Sequence, residues 1–339
     1  MRVLVVGAGA VGQVYAFHFW KGGAQVGFLV REKYAQDLRD KALVLHALSQ
    51  FGQTKPVLFR EYEVVSRLAD IKQGAGWDVV VCTISSAALR EGNWLGDFLA
   101  SLGPNTTLVN LGSGLEDREQ FLKAGFPRSR LVEGFITFSS WQAPLPGEKT
   151  HPVGPIPWPE KDINKPLGYL KSSPLPFTGD PLRVTPITST LTQGGLWSVR
   201  VPLWYDALFA FPAIATPVLV ALEAEGWSFR ALSKSPLVPL ATRAIGDCLK
   251  VTGKSIGIWW VPLMRLFIWT IGIRFFLLLL LWVMPFDFEA FTRYHFQKVG
   301  AQTKLYCDDY IREGRQAGLP MRDLERLPKR NPRWQGLKE

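Results

Sequence analysis

Cysteine and histidine are scarce in this chain. Its 339 residues include three cysteines, Cys82, Cys248 and Cys307, and four histidines, His18, His46, His151 and His295. The cysteines are odd in number and far apart, which excludes a disulfide framework and a cysteine-rich metal motif. The histidines do not cluster, so a structural zinc site is not expected. Uninterrupted apolar runs are short: Phe275–Met284 has ten residues, and a spanning helix needs ~20. The first apolar run has no small-residue cleavage pattern and does not read as a secretion signal, which points to the cytosol. A dense basic run with interleaved aromatics is also missing, although the net charge is +10. That argues against nucleic acid as a partner and leaves an anionic ligand or an anionic membrane surface to match the charge.

What is present begins near the N-terminus. Val3-Leu4-Val5-Val6 runs into Gly7-Ala8-Gly9-Ala10-Val11-Gly12. An apolar strand ending in GxGxxG spacing opens a dinucleotide-binding βαβ unit. Gly7 permits the tight turn, Gly9 lets the backbone approach a pyrophosphate, and Gly12 lets the next helix sit close to the strand. The N–H groups at that helix start then face the negative charge. A helix-compatible stretch over Val14–Lys21, a Gly22-Gly23 stop and a second strand over Gln25–Val30 complete the unit. The alternative is a glycine turn without a ligand.

Arg31 ends the second strand, with Lys33 close behind. The NAD-binding version of the unit has an acid there for the ribose 2′-hydroxyl. A guanidinium instead suits a 2′-phosphate, to which it can give two charge-assisted hydrogen bonds. NADP(H) is therefore the expected cofactor. Glu32 would reverse the preference if it pointed into the site in place of Arg31, and an ordinary surface arginine is the alternative without function.

Further along, the pattern predicts a helix over Tyr34–Asp40 and strands over Leu43–His46 and Val57–Phe59. Val64–Ile71 reads as a turn or helix, and Asp78–Thr83 as a buried parallel strand. Leu89–Leu102 and Glu116–Ala124 read as helices, Thr106–Asn110 as a strand, and Leu131–Phe138 as the start of another. Alternating strands and helices make an α/β, Rossmann-type doubly wound domain. The proline- and glycine-rich stretch Pro144–Pro186 is expected to hold edge strands and loops rather than helices. The expected division is a nucleotide-binding domain over 1–190, a mostly α-helical domain for substrate or dimerisation over 191–327, and a basic tail over 328–339, with Arg322–Glu339 expected to be frayed.

The stretch 256–284 is nearly all apolar and rich in Trp, interrupted by Pro262, Arg265, Thr270 and Arg274. A charge near the middle of a span costs ~2.5–3.5 kcal/mol on insertion scales, which argues against a true span. The expectation is a helical hairpin in one leaflet, with Arg265 and Arg274 reaching the headgroups. The alternative is a core or dimer-interface helix pair in a homodimer.

With these residues in view, the chain resembles the ketopantoate reductase family over about half its length. The resemblance rests on 1–31, the Val79–Thr83 strand, Asn110-Leu-Gly-Ser-Gly before Glu116, and the ending from Lys298 through Asp308-Asp309-Tyr310 to Gly314-Arg315 and Gly318-Leu319-Pro320. It implies a Rossmann domain and a helical domain with the active site in the cleft between, and NADPH-dependent reduction of the ketone of ketopantoate. By position, Gly7, Ala8, Gly9, Ala10, Val11 and Gly12 would cradle the pyrophosphate, and Arg31 would hold the 2′-phosphate. Asn110 would lie near the nicotinamide ribose and the substrate.

The second half departs from the family. The place of the family's general-acid lysine falls at or near Asp206, and no lysine occurs between Lys171 and Lys234. No asparagine occurs between Asn164 and Asn331 to hold a substrate. The family's late acidic residue falls near Gln302, and a basic cofactor residue falls on Ser85. An ionised Asp206 would repel an alkoxide, while a protonated one could donate to it. His295, Lys298 and Gln302 fall at i, i+3 and i+7, on one helical face that could meet an anionic or carbonyl oxygen; a solvated face is the alternative. Tyr205 is a further candidate donor, and Asp308-Asp309 reads as a surface pair. The candidate catalytic residues are thus Asn110, Asp206 and Lys298. The expected activity is reduction of a small-molecule carbonyl compound larger or more apolar than ketopantoate. The alternative is a non-catalytic NADP(H)-binding sensor or scaffold, peripheral at the inner face of a membrane.

Overall fold

The computed structural model describes residues 1–49, 52–53, 55–73, 76–147, 156–202, 210–332 and 334. Among them the strands are β1 (Arg2–Val6), β2 (Gln25–Leu29), β3 (Leu43–Ser49), β4 (Gly52–Gln53), β5 (Val57–Phe59), β6 (Glu63–Val65), β7 (Val79–Cys82), β8 (Thr107–Asn110), β9 (Leu131–Gly134), β10 (Phe138–Gln142), β11 (Leu167–Lys171), β12 (Leu175–Thr178) and β13 (Ser198–Arg200). The first seven helices are α1 (Ala10–Lys21), α2 (Glu32–Asp40), α3 (Leu68–Gln73), α4 (Ser86–Arg90), α5 (Trp94–Ser101), α6 (Asp117–Lys123) and α7 (Pro181–Gln193). Then follow α8 (Ala210–Ala224), α9 (Phe229–Lys234), α10 (Leu237–Ser255), α11 (Thr270–Val283), α12 (Phe288–Lys298), α13 (Gly300–Gln316) and α14 (Arg322–Arg326). The chain forms two compact units; of the described residues, the first takes 1–112, 117–145 and 156–202, and the second takes 113–116, 146–147 and those from 210 on.

In the first unit eight strands form one sheet in the order β13-β12-β9-β8-β7-β1-β2-β6. Every neighbouring pair is parallel except β12 with β9. The strand order reverses at β1, which has β2 on one side and β7 on the other. In open α/β sheets ligands bind at such a reversal, beyond the carboxyl ends of the strands. β1 is buried on both faces, which is why it reads as a continuous apolar run. Val3 and Val5 pack with Val14 and Phe17 of α1 and Val184 and Ile187 of α7. Leu4 and Val6 pack on the other face with Phe98 of α5 and Phe121 of α6. A smaller sheet, β10-β11-β3-β4 with β5 paired to β3, completes the unit. The second unit is helical around α10, whose buried Ala244, Ile245, Cys248 and Leu249 share a core with Val220 of α8 and Cys307 and Tyr310 of α13. The α/β sheet followed by a mostly helical region is the predicted fold class.

Several local expectations change. Val64–Ile71 is not one turn or helix: β6 pairs in parallel with β2 before α3 begins. The Leu89–Leu102 helix is two, because Gly92 takes a φ of +70°, which ends a helix. Leu131–Phe138 is two strands in two sheets: β9 pairs with β8, and β10 pairs with β11. Pro144–Pro186 does contain helix, since α7 starts at Pro181. Proline at the first helical position fits because its missing N–H has no partner there anyway, and Asp180 caps the turn by accepting from the Leu182 N–H at 2.9 Å. The basic end is not frayed where it is described: Leu327 and Asn331 are buried, and the Trp334 indole N–H donates to Glu223 at 2.8 Å.

His18 on α1 locks helix to sheet. Its Nδ1–H donates to the Gly194 carbonyl at 2.8 Å, so in the neutral ring Nε2 accepts from the Tyr169 hydroxyl at 3.1 Å. Burial, with Lys171 and Lys21 nearby, pushes its proton affinity down to about 4. An unfolded imidazole takes a proton near 6.5. Between those values acid favours the unfolded chain, so this contribution is complete above pH 6.5 and is lost as pH falls toward 4, at about 1.4 kcal/mol per pH unit. An NMR titration of the histidine ring signals should find His18 unprotonated at pH 5; an ordinary midpoint near 6.5 would contradict the buried, bonded ring.

Candidate dinucleotide site

The site is built where β1 and β7 end. Gly7 leaves β1 with φ +99°, a conformation that needs glycine, and its N–H donates to the Leu29 carbonyl at 2.9 Å. Gly12 lies in the first turn of α1, and a Cβ there would fall 2.1 Å from the Gly7 carbonyl oxygen. Only glycine allows the helix so close to the strand end. At Gly9 a Cβ would meet nothing within 4 Å. The absent side chain at Gly9 is therefore not required by packing, and the open side of the loop backbone is the side a phosphate would use. Gly9 is the N-cap of α1 and makes no side-chain cap. The first N–H groups of this 12-residue helix carry the positive end of its dipole. Ala8, Ala10 and Val11 are half-buried around it. The residues present therefore fit a pyrophosphate.

Thr83 clamps the turn. It follows β7, and its hydroxyl hydrogen reaches the Val6 and Gly7 carbonyls, at 2.9 and 3.1 Å. The sequence reading treated Thr83 only as a strand end. A hydroxyl residue one step past a buried strand, next to a strained glycine turn, is the signal that could have found it. Gln13 adds a second tie, donating from Nε2 to the Ala8 carbonyl at 2.9 Å.

Arg31 is exposed at the N-cap of α2, right after β2. Its guanidinium stands 5.7 Å from the Tyr34 ring and has no ion pair among the described residues. Lys33 also lies over Tyr34, at 4.9 Å. The two cations therefore share one aromatic platform beside the second strand. Glu32 is exposed as well.

Asn110 ends β8 in register with Cys82 and Glu133. It is buried, and its Oδ1 accepts from the Gly112 N–H at 2.9 Å, which shapes the turn after the strand. Gly112 is crowded in its turn: a Cβ would come 2.4 Å from Asp117 Oδ2. Buried Asp117 accepts from the Ser86 hydroxyl and from Arg90 at 3.4 Å. The turn after β8 is thus tied to α4, whose start Ser85 caps by accepting from the Ala88 N–H at 3.2 Å.

The predicted catalytic group is not assembled as one face. Asp206 and Tyr205 lie outside the described residues. His295 and Lys298 are on α12 but Gln302 is on α13, because the helix breaks at Val299. His295 is held between aromatic rings, stacked on Phe291 at 5.6 Å and edge-on to Phe296 at 4.9 Å. Burial and neighbouring Lys298 push its proton affinity down to about 4, so it is neutral at physiological pH. Lys298 is exposed at the end of α12. Asp308 and Asp309 are not a surface pair: Asp308 is exposed and paired with Lys304 at 2.8 Å, whereas Asp309 is buried and accepts from Arg312 at 2.7 Å.

Comparison with known proteins agrees with this geometry. Residues 3–151 match the family described as ketopantoate reductase PanE/ApbA. A Bacillus subtilis (strain 168) protein named uncharacterized oxidoreductase YkpB is 29% identical over 140 residues, 41% of this chain and 42% of that protein. The match thus spans less than half the relative's length. Solved structures share the fold along nearly the whole chain. D-mandelate dehydrogenase with NADH and anilino(oxo)acetate has a TM-score of 0.71 at 13% identity, covering 98% of both chains. A PanE/ApbA family ketopantoate reductase from Ralstonia eutropha JMP134 has a TM-score of 0.70 at 13% identity, covering 99% of this chain and 100% of that one. A nicotinamide dinucleotide is the ligand this fold and turn fit.

The glycines should separate on mutation. Gly9→Ala should leave the melting temperature within about 3 °C and weaken NADPH binding about tenfold or more, measured by fluorescence titration. Gly12→Ala, which forces backbone apart, should lower the melting temperature by about 5 °C or more. Equal losses of stability in both variants would show that Gly9 serves packing and not a ligand.

Proposed function

We propose that this chain, a divergent member of the ketopantoate reductase family, is an NADPH-dependent reductase of a keto group. Its substrate in this reading is larger or more apolar than ketopantoate. The observation that carries the reading is the turn over Gly7–Gly12, crowded where packing needs glycine and open where a phosphate would approach. A bound reduced nicotinamide would supply a hydride to a carbonyl carbon. The chain's own part is to hold the dinucleotide, orient the carbonyl compound and move a proton to its oxygen.

Gly7, Ala8, Gly9, Ala10, Val11 and Gly12 hold the pyrophosphate in this proposal, and Arg31 takes the 2′-phosphate. The D-mandelate dehydrogenase neighbour was solved with NADH, so the fold does not choose between the two cofactors. Arg31 carries the preference for NADPH: it is a cation, without an acidic partner among the described residues, where the NAD-binding pattern places an acid. Asn110, held by the Gly112 turn, is assigned to the nicotinamide ribose and the carbonyl compound. A carbonyl oxygen gaining negative charge needs a proton donor or a cation. Asp206 and Lys298 are the proposed candidates: Lys298 as an exposed cation, Asp206 as a carboxyl that donates when protonated. An acid where the family has its lysine disfavours a carboxylate substrate, which supports the more apolar class. The setting proposed is cytoplasmic, and a second copy of the chain is the partner that would cover apolar surface if a lipid surface does not.

Arg31→Ala should weaken NADPH binding by about 10- to 100-fold, the loss of a charge-assisted contact worth ~1.5–3 kcal/mol, while NADH affinity changes little. Equal losses for both cofactors would remove the 2′-phosphate assignment. Activity is tested by following NADPH absorbance with a panel of 2-oxo acids and apolar ketones. Oxidation with an apolar ketone supports the reductase reading. Tight NADPH binding with no oxidation across the panel would overturn it in favour of a nucleotide-binding sensor.

A further inference from the structure

The second unit carries an apolar surface that the reductase reading does not use. Trp259, Leu266, Phe267, Ile271, Phe275 and Trp282 are each 66–86% exposed. Trp259 precedes a 3₁₀ turn, Val261–Phe267, that carries Leu266 and Phe267; the other three lie on α11, and the two elements meet at a bend of 80°. The turn is pressed onto α10 at two glycines seven residues apart, where a Cβ would meet Arg265 at Gly246 and Pro262 at Gly253. On α11 only Leu277 is fully buried. Among the described residues no single helix is long and apolar enough to cross a membrane. With 14 residues, α11 is about 21 Å long, well short of a ~30 Å hydrocarbon core.

Arg265 and Arg274 do not reach outward as the sequence suggested. Arg265 donates to the Ile268 carbonyl and Arg274 to the Ser235 carbonyl at 3.3 Å, which satisfies the ends of the elements the apolar face rests on. Cations at the rim come from α9 instead. Exposed Arg230 and Lys234 line a pocket of about 370 Å³ with Ser233 and with Leu278, Leu281 and Trp282 of α11. Between Glu225 and Asp287, each beside an end of this stretch, the charge is mostly of one sign. From 226 to 286 there are seven Lys and Arg and one acid, Asp247. Asp247 is turned inward and accepts from the Asp323 and Leu324 N–H groups at 3.2 and 3.3 Å.

We propose that this face docks on an anionic lipid bilayer, with the apolar side chains in the headgroup and acyl boundary and Arg230 and Lys234 on lipid phosphates. Exposed Trp and Phe beside Lys and Arg are the chemistry of interfacial binding. Basic residues beside such a surface gain from anionic lipid. The same charge pattern argues against a second copy as the occupant. A two-fold interface sets a patch against itself, and the described residues that line the pocket with Arg230 and Lys234 include no acid to meet them. The proposal goes beyond the reductase reading, since vesicle binding is measured without nucleotide.

The test is co-sedimentation of the full chain with phosphatidylserine-containing and pure phosphatidylcholine vesicles, together with quenching of tryptophan emission by brominated acyl chains. The anionic vesicles should bind at least about tenfold more tightly, with quenching. Arg230→Glu with Lys234→Glu should reduce that binding about tenfold or more, and so should Phe267→Ser with Trp282→Ser. All four side chains are exposed, and circular dichroism checks that both variants remain folded. Absence of pelleting with either vesicle would overturn the proposal. So would binding unchanged by the charge reversals, or a dimer in sedimentation velocity that the Phe267→Ser, Trp282→Ser variant dissociates.

Discussion

The close approach of α1 to the ends of β1 and β7 governs the first unit. A methyl group at Gly12 would collide with the Gly7 carbonyl, so the helix axis and the strand end can meet only without one. That contact aims the helix N-terminus beyond the sheet at the position where strand order reverses. Thr83 then fixes the turn from the neighbouring strand: its hydroxyl reaches the Val6 and Gly7 carbonyls, and its backbone N–H also donates to the Val6 carbonyl at 3.1 Å. Sheet order, glycine spacing and one hydroxyl thus leave the N–H groups at the start of α1 open on the side an anion would use.

Legibility in the sequence followed burial. β1, β7 and β8 are covered on both faces, and continuous apolar runs identified them within one or two residues. β6 was missed because its three residues include an exposed Glu63, so no apolar run marks it. α7 was missed because Pro181 and Pro186 read as breakers; at the first helical position proline is favourable, and Asp180 supplies the cap. The division of 131–138 between two sheets was not readable, because periodicity records which way side chains point and not which neighbour a strand joins. In the candidate site the glycines and Arg31 were legible from spacing. Thr83 was not, since its role depends on the register of β7 beside β1.

The second unit shows a different limit. A helical period over 295–302 placed three polar side chains on one face, and a one-residue break at Val299 separated them. Gly300, next to Val299, is the local mark of that break. Similarly, Arg265 and Arg274 look like anchors in a linear reading of an apolar stretch, yet both satisfy backbone carbonyls. A long cation beside a helix end finds an unpaired carbonyl nearer than a distant phosphate. The rim charge comes from α9, a helix outside the apolar stretch that attracted attention.

The two proposals constrain each other through partitioning. An apolar ketone gains ~0.8 kcal/mol per methylene on leaving water, so a compound with six more methylenes than ketopantoate would concentrate in lipid by several thousandfold. A soluble enzyme would meet little of it. An enzyme held at the bilayer surface draws on the concentrated pool, and the loss of polar substrate anchors then costs less, because transfer from lipid to protein no longer has to remove the compound from water. An exposed aromatic face on the second unit and an apolar carbonyl substrate are therefore compatible features of one chemistry.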